Sequence, residues 1–214
     1  SSRNIPGSAG MGKISPEIRI FMAQKLAFVI CPNLIRELEI IISKNSWRDA
    51  EAVCLSTSCF KKCSIEEKDI KSLFGENIDK YDKIEFLCGC FRDPSHAVKN
   101  NGRIKKSSEP ICFNFLTNPG IIKSFADRGC YMITPGWLAD WEKNIESVWG
   151  FTKPSARSFF RESNIKKIML LDTCIALPAE TADTETKLYE LSKYLGLKCE
   201  SVPVGLDYFG TVLE

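Results

Sequence analysis

Residues 25–31 read Lys25-Leu26-Ala27-Phe28-Val29-Ile30-Cys31, and such a short apolar run is typical of a strand that is buried on both faces. The next segment, residues 33–44, repeats apolar side chains at helical spacing, with Leu34, Leu38 and Ile41 on one face. The sequence therefore predicts a strand, a cysteine at its carboxyl end, and a helix.

The rest of the chain continues this alternation. Runs that are apolar throughout, separated by segments with helical periodicity, predict a mostly parallel sheet with helices on both faces. We therefore expect an α/β fold. At 214 residues the chain is long enough for a single domain over 13–214, or for two Rossmann-like halves that meet near 109–150. The further strands are predicted at 50–55, 83–87, 110–115, 131–134, 167–171 and 197–202.

Helix boundaries are predicted from capping residues. Ser64 with Glu67 three residues later has the pattern of a capping box, and Thr152 followed by Pro154 predicts a second helix start. Residues 137–148 have the spacing of an amphipathic helix, in which the tryptophans serve packing. Residues 205–214 resemble the start of a helix that is cut off.

Composition excludes several classes of function. The chain has 29 Lys and Arg against 27 Asp and Glu, and this balance gives no reason to expect nucleic acid as a partner. We find no apolar run long enough for a membrane span and no secretory signal, so we expect a cytoplasmic protein. Residues 1–12, rich in Ser and Gly, are interpreted as an expression scar or a flexible arm.

Cysteine content is the main clue to function. The chain has 10 cysteines but only 1 histidine, His96, so a histidine-rich zinc site is excluded and a catalytic triad is disfavoured. Without a secretory signal, the cysteines are expected to be reduced thiols and not a disulfide framework.

Most of these cysteines follow predicted strands, where ligands of parallel sheets bind. We assign Cys54, Cys130 and Cys199 to packing as small buried hydrophobic residues, because they lie within strands or near strand beginnings. Cys112 lies within or after the predicted strand at 110–115. The cysteines that follow strands are Cys31, Cys59, Cys63, Cys88, Cys90 and Cys174.

Thiolates ligate both zinc and iron–sulfur clusters. The tight Cys88-Gly89-Cys90 pair and the wide distribution of the other thiols favour an iron–sulfur cluster over zinc. We expect Cys31, Cys88, Cys90 and Cys112 to be the metal ligands. Cys59, Cys63 and Cys174 are further candidates for the cofactor site.

Five short motifs are informative together. They are Phe28-Val29-Ile30-Cys31, Cys88-Gly89-Cys90, Cys112, Gly129-Cys130-Tyr131-Met132-Ile133-Thr134-Pro135-Gly136-Trp137-Leu138 and Leu170-Leu171-Asp172-Thr173. Together they resemble the uncharacterised domain family of methanogens and other anaerobes that is often encoded near corrinoid-dependent methyltransferases. Cys31, one cysteine of the 88–90 turn, and Cys112 match its recurring cysteines, whereas Ser107-Ser108-Glu109-Pro110 replaces a histidine-containing stretch. The resemblance covers residues 25–202 and implies a corrinoid as an alternative cofactor.

Three functions remain open at this point, and the sequence does not decide whether the protein is an enzyme. The first is a cysteine-ligated sensory or accessory domain of anaerobic metabolism, in which a cluster signals through the last helix to an output domain. The second is an enzyme or electron-transfer accessory factor that works with a corrinoid methyltransferase system. The third is a cofactor-free small-molecule binding domain.

Overall fold

The structure is a computed structural model that describes residues 24–55, 65–88, 102–175 and 178–213. It is a mixed α/β fold with two parallel sheets and helices around them, which confirms the predicted fold class. Within the described ranges, no helix has the length and apolar character needed to cross a bilayer.

The first half of the chain forms a four-stranded sheet in the order β2-β1-β3-β4. All three neighbouring pairs are parallel. The strands are β1 (Leu26–Ile30), β2 (Ala50–Cys54), β3 (Lys83–Phe86) and β4 (Ile104–Lys106). Helix α1 (Ile35–Lys44) connects β1 to β2, and helix α2 (Glu67–Phe74) precedes β3.

The second half forms a three-stranded parallel sheet in the order β5-β6-β7. Its strands are β5 (Cys130–Ile133), β6 (Lys167–Asp172) and β7 (Lys198–Pro203). Its helices are α3 (Pro119–Asp127), α4 (Pro135–Ala139), α5 (Trp141–Lys143), α6 (Lys153–Glu162), α7 (Pro178–Leu195) and α8 (Asp207–Leu213).

Strand β1 is buried on both faces because successive side chains point to opposite sides of the sheet. Phe28 and Ile30 pack in a core that also contains residues of β6, α3 and α8. Ala27 and Val29 pack in a separate core with residues of α2. The first of these cores, here called the shared core, contains residues from both halves, so hydrophobic burial holds the two sheets together.

Helix α8 contributes to the shared core, which confirms the predicted helix at the end of the sequence. Phe209 is fully buried, and its ring lies 5.4 Å from that of Phe115. At the surface, Lys44 Nζ of α1 lies 2.8 Å from the Asp207 carboxylate. Burial of Phe209 stabilises this helix more than the exposed ion pair does.

Residues 110–115 do not form the predicted strand, and that prediction is wrong. Cys112–Phe115 is a turn of 3-10 helix. The Asn114 side-chain amide donates a hydrogen bond to the Glu109 carboxylate at 3.0 Å, and Phe115 is fully buried. A short segment that buries one aromatic ring and closes on its own side chains satisfies its polar groups without a neighbouring strand.

Two other boundaries differ from those predicted. Strand β4 was not among the predicted strands, because its three residues are too few to produce a periodic pattern. The predicted helix at 137–148 is broken into α4, α5 and a π-turn at Asn144–Val148. The buried Asn144 amide donates to the Trp137 carbonyl at 3.0 Å, and this bond replaces a regular helical one.

The helix start predicted at Thr152 is confirmed. Thr152 and Ser155 form a capping box before α6. For α2, the capping box is formed by Glu66 and Asp69 and not by Ser64 and Glu67. Ser64 itself lies outside the described residues.

Candidate functional site

A cavity of about 360 Å³ lies where the carboxyl end of β1 approaches strand β5. Cys31 follows β1 directly, and its extended backbone leads into the turn Pro32–Leu34. Strand β5 lines the cavity along its whole length, and Phe113 of the 3-10 turn also lines it. This position, at a strand end between two halves, is where α/β proteins commonly bind ligands.

Three cysteines line this cavity, which we call the cysteine cavity. They are Cys31 at the end of β1, Cys112 in the 3-10 turn, and Cys130 at the start of β5. Cys31 and Cys130 are buried, and Cys112 is partly exposed. The structure therefore brings together thiols that are up to 99 positions apart in the sequence, from Cys31 to Cys130.

Cys130 was assigned to packing from the sequence, because it begins a strand and does not follow one. The structure shows that it is buried in the shared core and that it also lines the cavity. The cavity runs along β5 rather than across the ends of several strands, so the first residue of this strand reaches it as well as the last. The position of a cysteine relative to a strand end was therefore not enough to identify Cys130 as a residue of the cavity.

The other predicted ligands lie elsewhere or cannot be placed. Cys88 is buried after β3, its Sγ lies 3.9 Å from the Val29 carbonyl oxygen, and it is not among the residues that line the cysteine cavity. Cys174 follows β6, is exposed, and has a left-handed backbone with φ 57°. Cys59, Cys63 and Cys90 lie outside the described residues.

The remaining two cysteines differ in burial. Cys54 ends β2 and is exposed, so its assignment as a buried hydrophobic residue is wrong. Cys199 is partly buried, and burial raises the pKa of its thiol to about 11. A thiol with so high a pKa is almost entirely protonated at neutral pH, which makes Cys199 a poor nucleophile and a poor ligand.

A hydrogen bond at the edge of the cysteine cavity connects the two halves of the chain. Thr134, which follows β5, donates a hydrogen bond from Oγ1 to the Asn33 carbonyl oxygen at 3.0 Å. The same Oγ1 accepts a hydrogen bond from the Trp137 backbone N–H at 3.2 Å and so caps α4. A Cβ atom at Gly136 would lie only 2.6 Å from the Asn33 oxygen, so glycine permits this close approach.

Aromatic rings pack against each other in and next to the cavity wall, as predicted for the tryptophans. Trp137 and Trp141 are buried. The Tyr131 ring lies edge-on to both the Trp137 ring, at 6.4 Å, and the Phe160 ring, at 5.2 Å. These contacts make a rigid wall, because edge-to-face aromatic pairs in a packed core have few alternative rotamers.

A second cavity, of about 270 Å³, lies next to the first and is polar. Its walls come from α1, α4, α7 and the residue Ile175 after β6. We call it the Glu37 cavity after its most buried polar residue: Glu37 is 1% exposed. Its carboxylate accepts a hydrogen bond from the Thr173 hydroxyl at 3.2 Å.

Burial is the main cause that raises the pKa of the Glu37 carboxyl above its ordinary value of 4.5. A hydrogen bond from the Glu37 backbone N–H, the Thr173 hydrogen bond and the Arg36 charge act in the opposite direction but are weaker. Sequence reasoning missed Glu37. The signal was present, because Glu37 lies between Leu34 and Leu38 on the apolar face of α1, where a charged residue is unusual.

Among the described residues, no group of three or more His, Cys, Asp or Glu side chains is arranged to hold a metal ion directly. Ligands around one zinc ion must all lie about 2.3 Å from it. The three thiols of the cysteine cavity instead line a space of about 360 Å³. Their arrangement therefore does not fit a single small ion.

Comparison with known proteins concerns the second half of the chain. Residues 112–213 match the family described as Protein of unknown function (DUF1638). The match confirms the predicted resemblance at the level of a family of unknown function, over a range shorter than predicted. No curated protein and no solved structure matches the chain.

The region that matches DUF1638 contains the whole second sheet and α8. It includes Cys112 and Cys130 of the cysteine cavity, whereas Cys31 precedes it. It likewise includes Thr173 but not Glu37. Both cavities are therefore formed between the part of the chain that matches DUF1638 and the first half.

Proposed function

We propose that this protein binds an iron–sulfur cluster in the cysteine cavity, with Cys31, Cys112 and Cys130 as thiolate ligands. The observation that carries the proposal is that these three thiols, from three separate segments, line one cavity. Cysteine thiolates are the standard ligands of iron–sulfur clusters.

The size of the cavity favours a cluster over zinc. A cluster contains several iron and sulfide ions, so its protein ligands stand farther apart than the ligands of one ion. A space of about 360 Å³ suits a group of that kind. Its walls include Phe113 and Met132, and an apolar wall excludes water from the sulfides and tunes the reduction potential.

Only three thiols line the described cavity, so a cubane cluster there would keep one iron without a cysteine from this set. That position is open to a small ligand or to a further cysteine. Cys90, Cys59 and Cys63 are the sequence-predicted candidates for it, and they lie outside the described residues.

We assign the cluster a sensory or accessory role in anaerobic metabolism. Its three ligands would come from both halves of the chain, so loss or oxidation of the cluster would change how the halves contact each other. The resemblance to domains encoded near corrinoid-dependent methyltransferases makes such a system the proposed partner, with electron transfer as the alternative role. A reducing cytoplasm suits these thiolates.

The test is purification of the full chain without oxygen, followed by a visible spectrum and assays of iron, acid-labile sulfide, zinc and cobalt. We expect a brown protein with stoichiometric iron and sulfide. Single Cys31→Ser, Cys112→Ser and Cys130→Ser variants should each lower the iron content. Cys174→Ser is the matched control, because Cys174 is exposed and is not among the residues that line the cavity.

A colourless protein that cannot be reconstituted with iron and sulfide would overturn the proposal. Cobalt or a bound corrinoid would replace it with the corrinoid function. If neither metal is present, the mainly apolar lining of the same cavity favours the third function, the binding of a small apolar molecule. Mass spectrometry of the native protein would then detect the bound molecule.

A further inference from the structure

The Glu37 cavity contains five charged or ionisable groups, and four of them are paired with each other. Arg36 Nη2 lies 2.9 Å from the Glu180 carboxylate, and Lys187 Nζ lies 2.9 Å from the Asp183 carboxylate. Each pair is neutral in sum. The fifth group is Glu37, which accepts hydrogen bonds from the Thr173 hydroxyl and from its own backbone N–H. Among the described residues, no cation pairs with Glu37.

A buried carboxylate without a cation is costly, because the interior solvates its charge poorly. Glu37 is also the group that lies deepest in the cavity, at 1% exposure. Among the described residues, Glu37 is therefore the one ionisable group of this cavity that has no ion pair. Glu37 lies where α1 meets the residues after β6.

We propose that the Glu37 cavity is a second binding site, in which the Glu37 carboxylate takes the ammonium group of a small organic cation. This site is separate from the cysteine cavity, and its ligand does not depend on a cluster. The other walls include Pro135, Leu138 and Ile175, so the ligand would have a short hydrocarbon part next to its charge.

An anionic ligand fits the cavity less well. It would meet three carboxyl groups, and the two cations that could bind it, Arg36 and Lys187, already contact carboxylates. Repulsion between like charges at short range opposes such binding. The four residues of α4 that line the cavity carry no charge and do not alter this balance.

The backbone after β6 supports the assignment of a binding site. Cys174 has a left-handed backbone with φ 57°, and its N–H donates to the Asp172 carboxylate at 2.9 Å. The two residues beside it then face the site: Thr173 donates to Glu37, and Ile175 lines the cavity. A residue that is not glycine adopts this conformation at a cost, and such strain is concentrated at functional sites.

Binding should depend on pH. Burial raises the pKa of the Glu37 carboxyl, whereas an ammonium group beside it favours the carboxylate. Where Glu37 is protonated, its O–H bond must break and the proton must go to solvent before the ion pair forms, so binding should be weaker below the pKa of Glu37 than above it. The other charged groups near the site are Arg36, Asp172, Glu180, Asp183 and Lys187.

The experiment is a titration of the full chain with ethylammonium chloride, followed by backbone amide NMR, with sodium chloride and sodium acetate as control salts. We expect shifts concentrated at residues 36–38, 135–139 and 173–175 for ethylammonium only. Calorimetry at a series of pH values should show binding that strengthens as Glu37 ionises. Glu37→Gln should weaken binding by about tenfold or more, while Glu39→Gln, an exposed change on the same helix, should not.

A second variant tests the proposal independently, in case Glu37→Gln does not fold. Ala139 is exposed and lines the cavity, so Ala139→Trp should block entry without changing the carboxyl group. Absence of site-specific shifts in the wild type would overturn the proposal. So would equal binding by Glu37→Gln, by Ala139→Trp, or of acetate.

Discussion

The Thr134 hydroxyl donates a hydrogen bond to the Asn33 carbonyl oxygen at 3.0 Å, although 101 positions separate the two residues in the sequence. Both residues line the cysteine cavity. The turn after β1 and the turn after β5 are therefore held in contact by a defined polar bond as well as by burial in the shared core.

Gly136→Ala should destabilise the protein by about 1–3 kcal/mol, because the new methyl group would meet the Asn33 carbonyl oxygen at 2.6 Å. Urea unfolding followed by circular dichroism measures this change. Gly102→Ala is the matched control, since a Cβ atom there meets nothing within 4 Å. Equal stability of the two variants would show that the contact between the turns can relax freely.

Stability should fall as pH rises through the range in which Glu37 ionises. The pKa of Glu37 is raised in the folded state by burial, so the native protein holds a proton that the unfolded chain has already lost above about pH 4.5. The free energy of unfolding therefore decreases with pH from that value up to the folded pKa. Glu37→Gln should remove this dependence, whereas the exposed control Glu39→Gln should keep it; urea unfolding at a series of pH values compares them. A wild-type profile identical to that of Glu37→Gln would contradict the prediction.

Cys174 should react with iodoacetamide much faster than Cys199 in the native protein. Cys174 is exposed, whereas Cys199 is partly buried and burial raises its pKa to about 11. Alkylation requires the thiolate, so the raised pKa of Cys199 slows its reaction, and the exposure of Cys174 gives the reagent access. Mass mapping after short labelling at pH 8 gives the two rates, and labelling in urea provides the reference. Similar native rates would count against this arrangement.

Cys88→Ala should retain the cofactor, because Cys88 does not line the cysteine cavity. It should lower the free energy of unfolding by about 1 kcal/mol, because Cys88 is buried in the core that contains Ala27, Val29 and residues of α2. The sequence predicted Cys88 as a ligand, so this variant separates the two ligand sets. Iron content after anaerobic purification and urea unfolding provide the two measurements. Cys31→Ala is the comparison, since Cys31 belongs to the same core and also lines the cavity. Loss of iron in Cys88→Ala would restore the original assignment.

The fold was predictable where strands are buried on both faces. Residues of β1 are apolar without interruption, and their alternate side chains pack in two different cores. The 3-10 turn at Cys112–Phe115 was mistaken for a strand because a short apolar run has the same composition in both conformations. Only tertiary contacts, such as the ring of Phe115 against that of Phe209, decide between them.

The candidate site was predictable in part. Cys31 follows a recognisable strand, so the local apolar pattern was enough to predict its place at the carboxyl end of β1. Cys130 could not be recognised, since its role depends on the cavity running along β5 between the two halves. Glu37 depends in the same way on Thr173, which lies 136 positions away. Long-range packing of this kind leaves no periodic signal in a single sequence.

The bond between Thr134 and Asn33 also has a consequence for the order of folding. Closing a loop of about 100 residues costs more conformational entropy than pairing adjacent strands within either sheet. We therefore expect the contact to form late in folding. Since both cavities exist only once the two turns meet, a molecule that binds in either cavity would favour the fully docked chain over species with separately folded halves. Refolding in its presence should then populate fewer such intermediates.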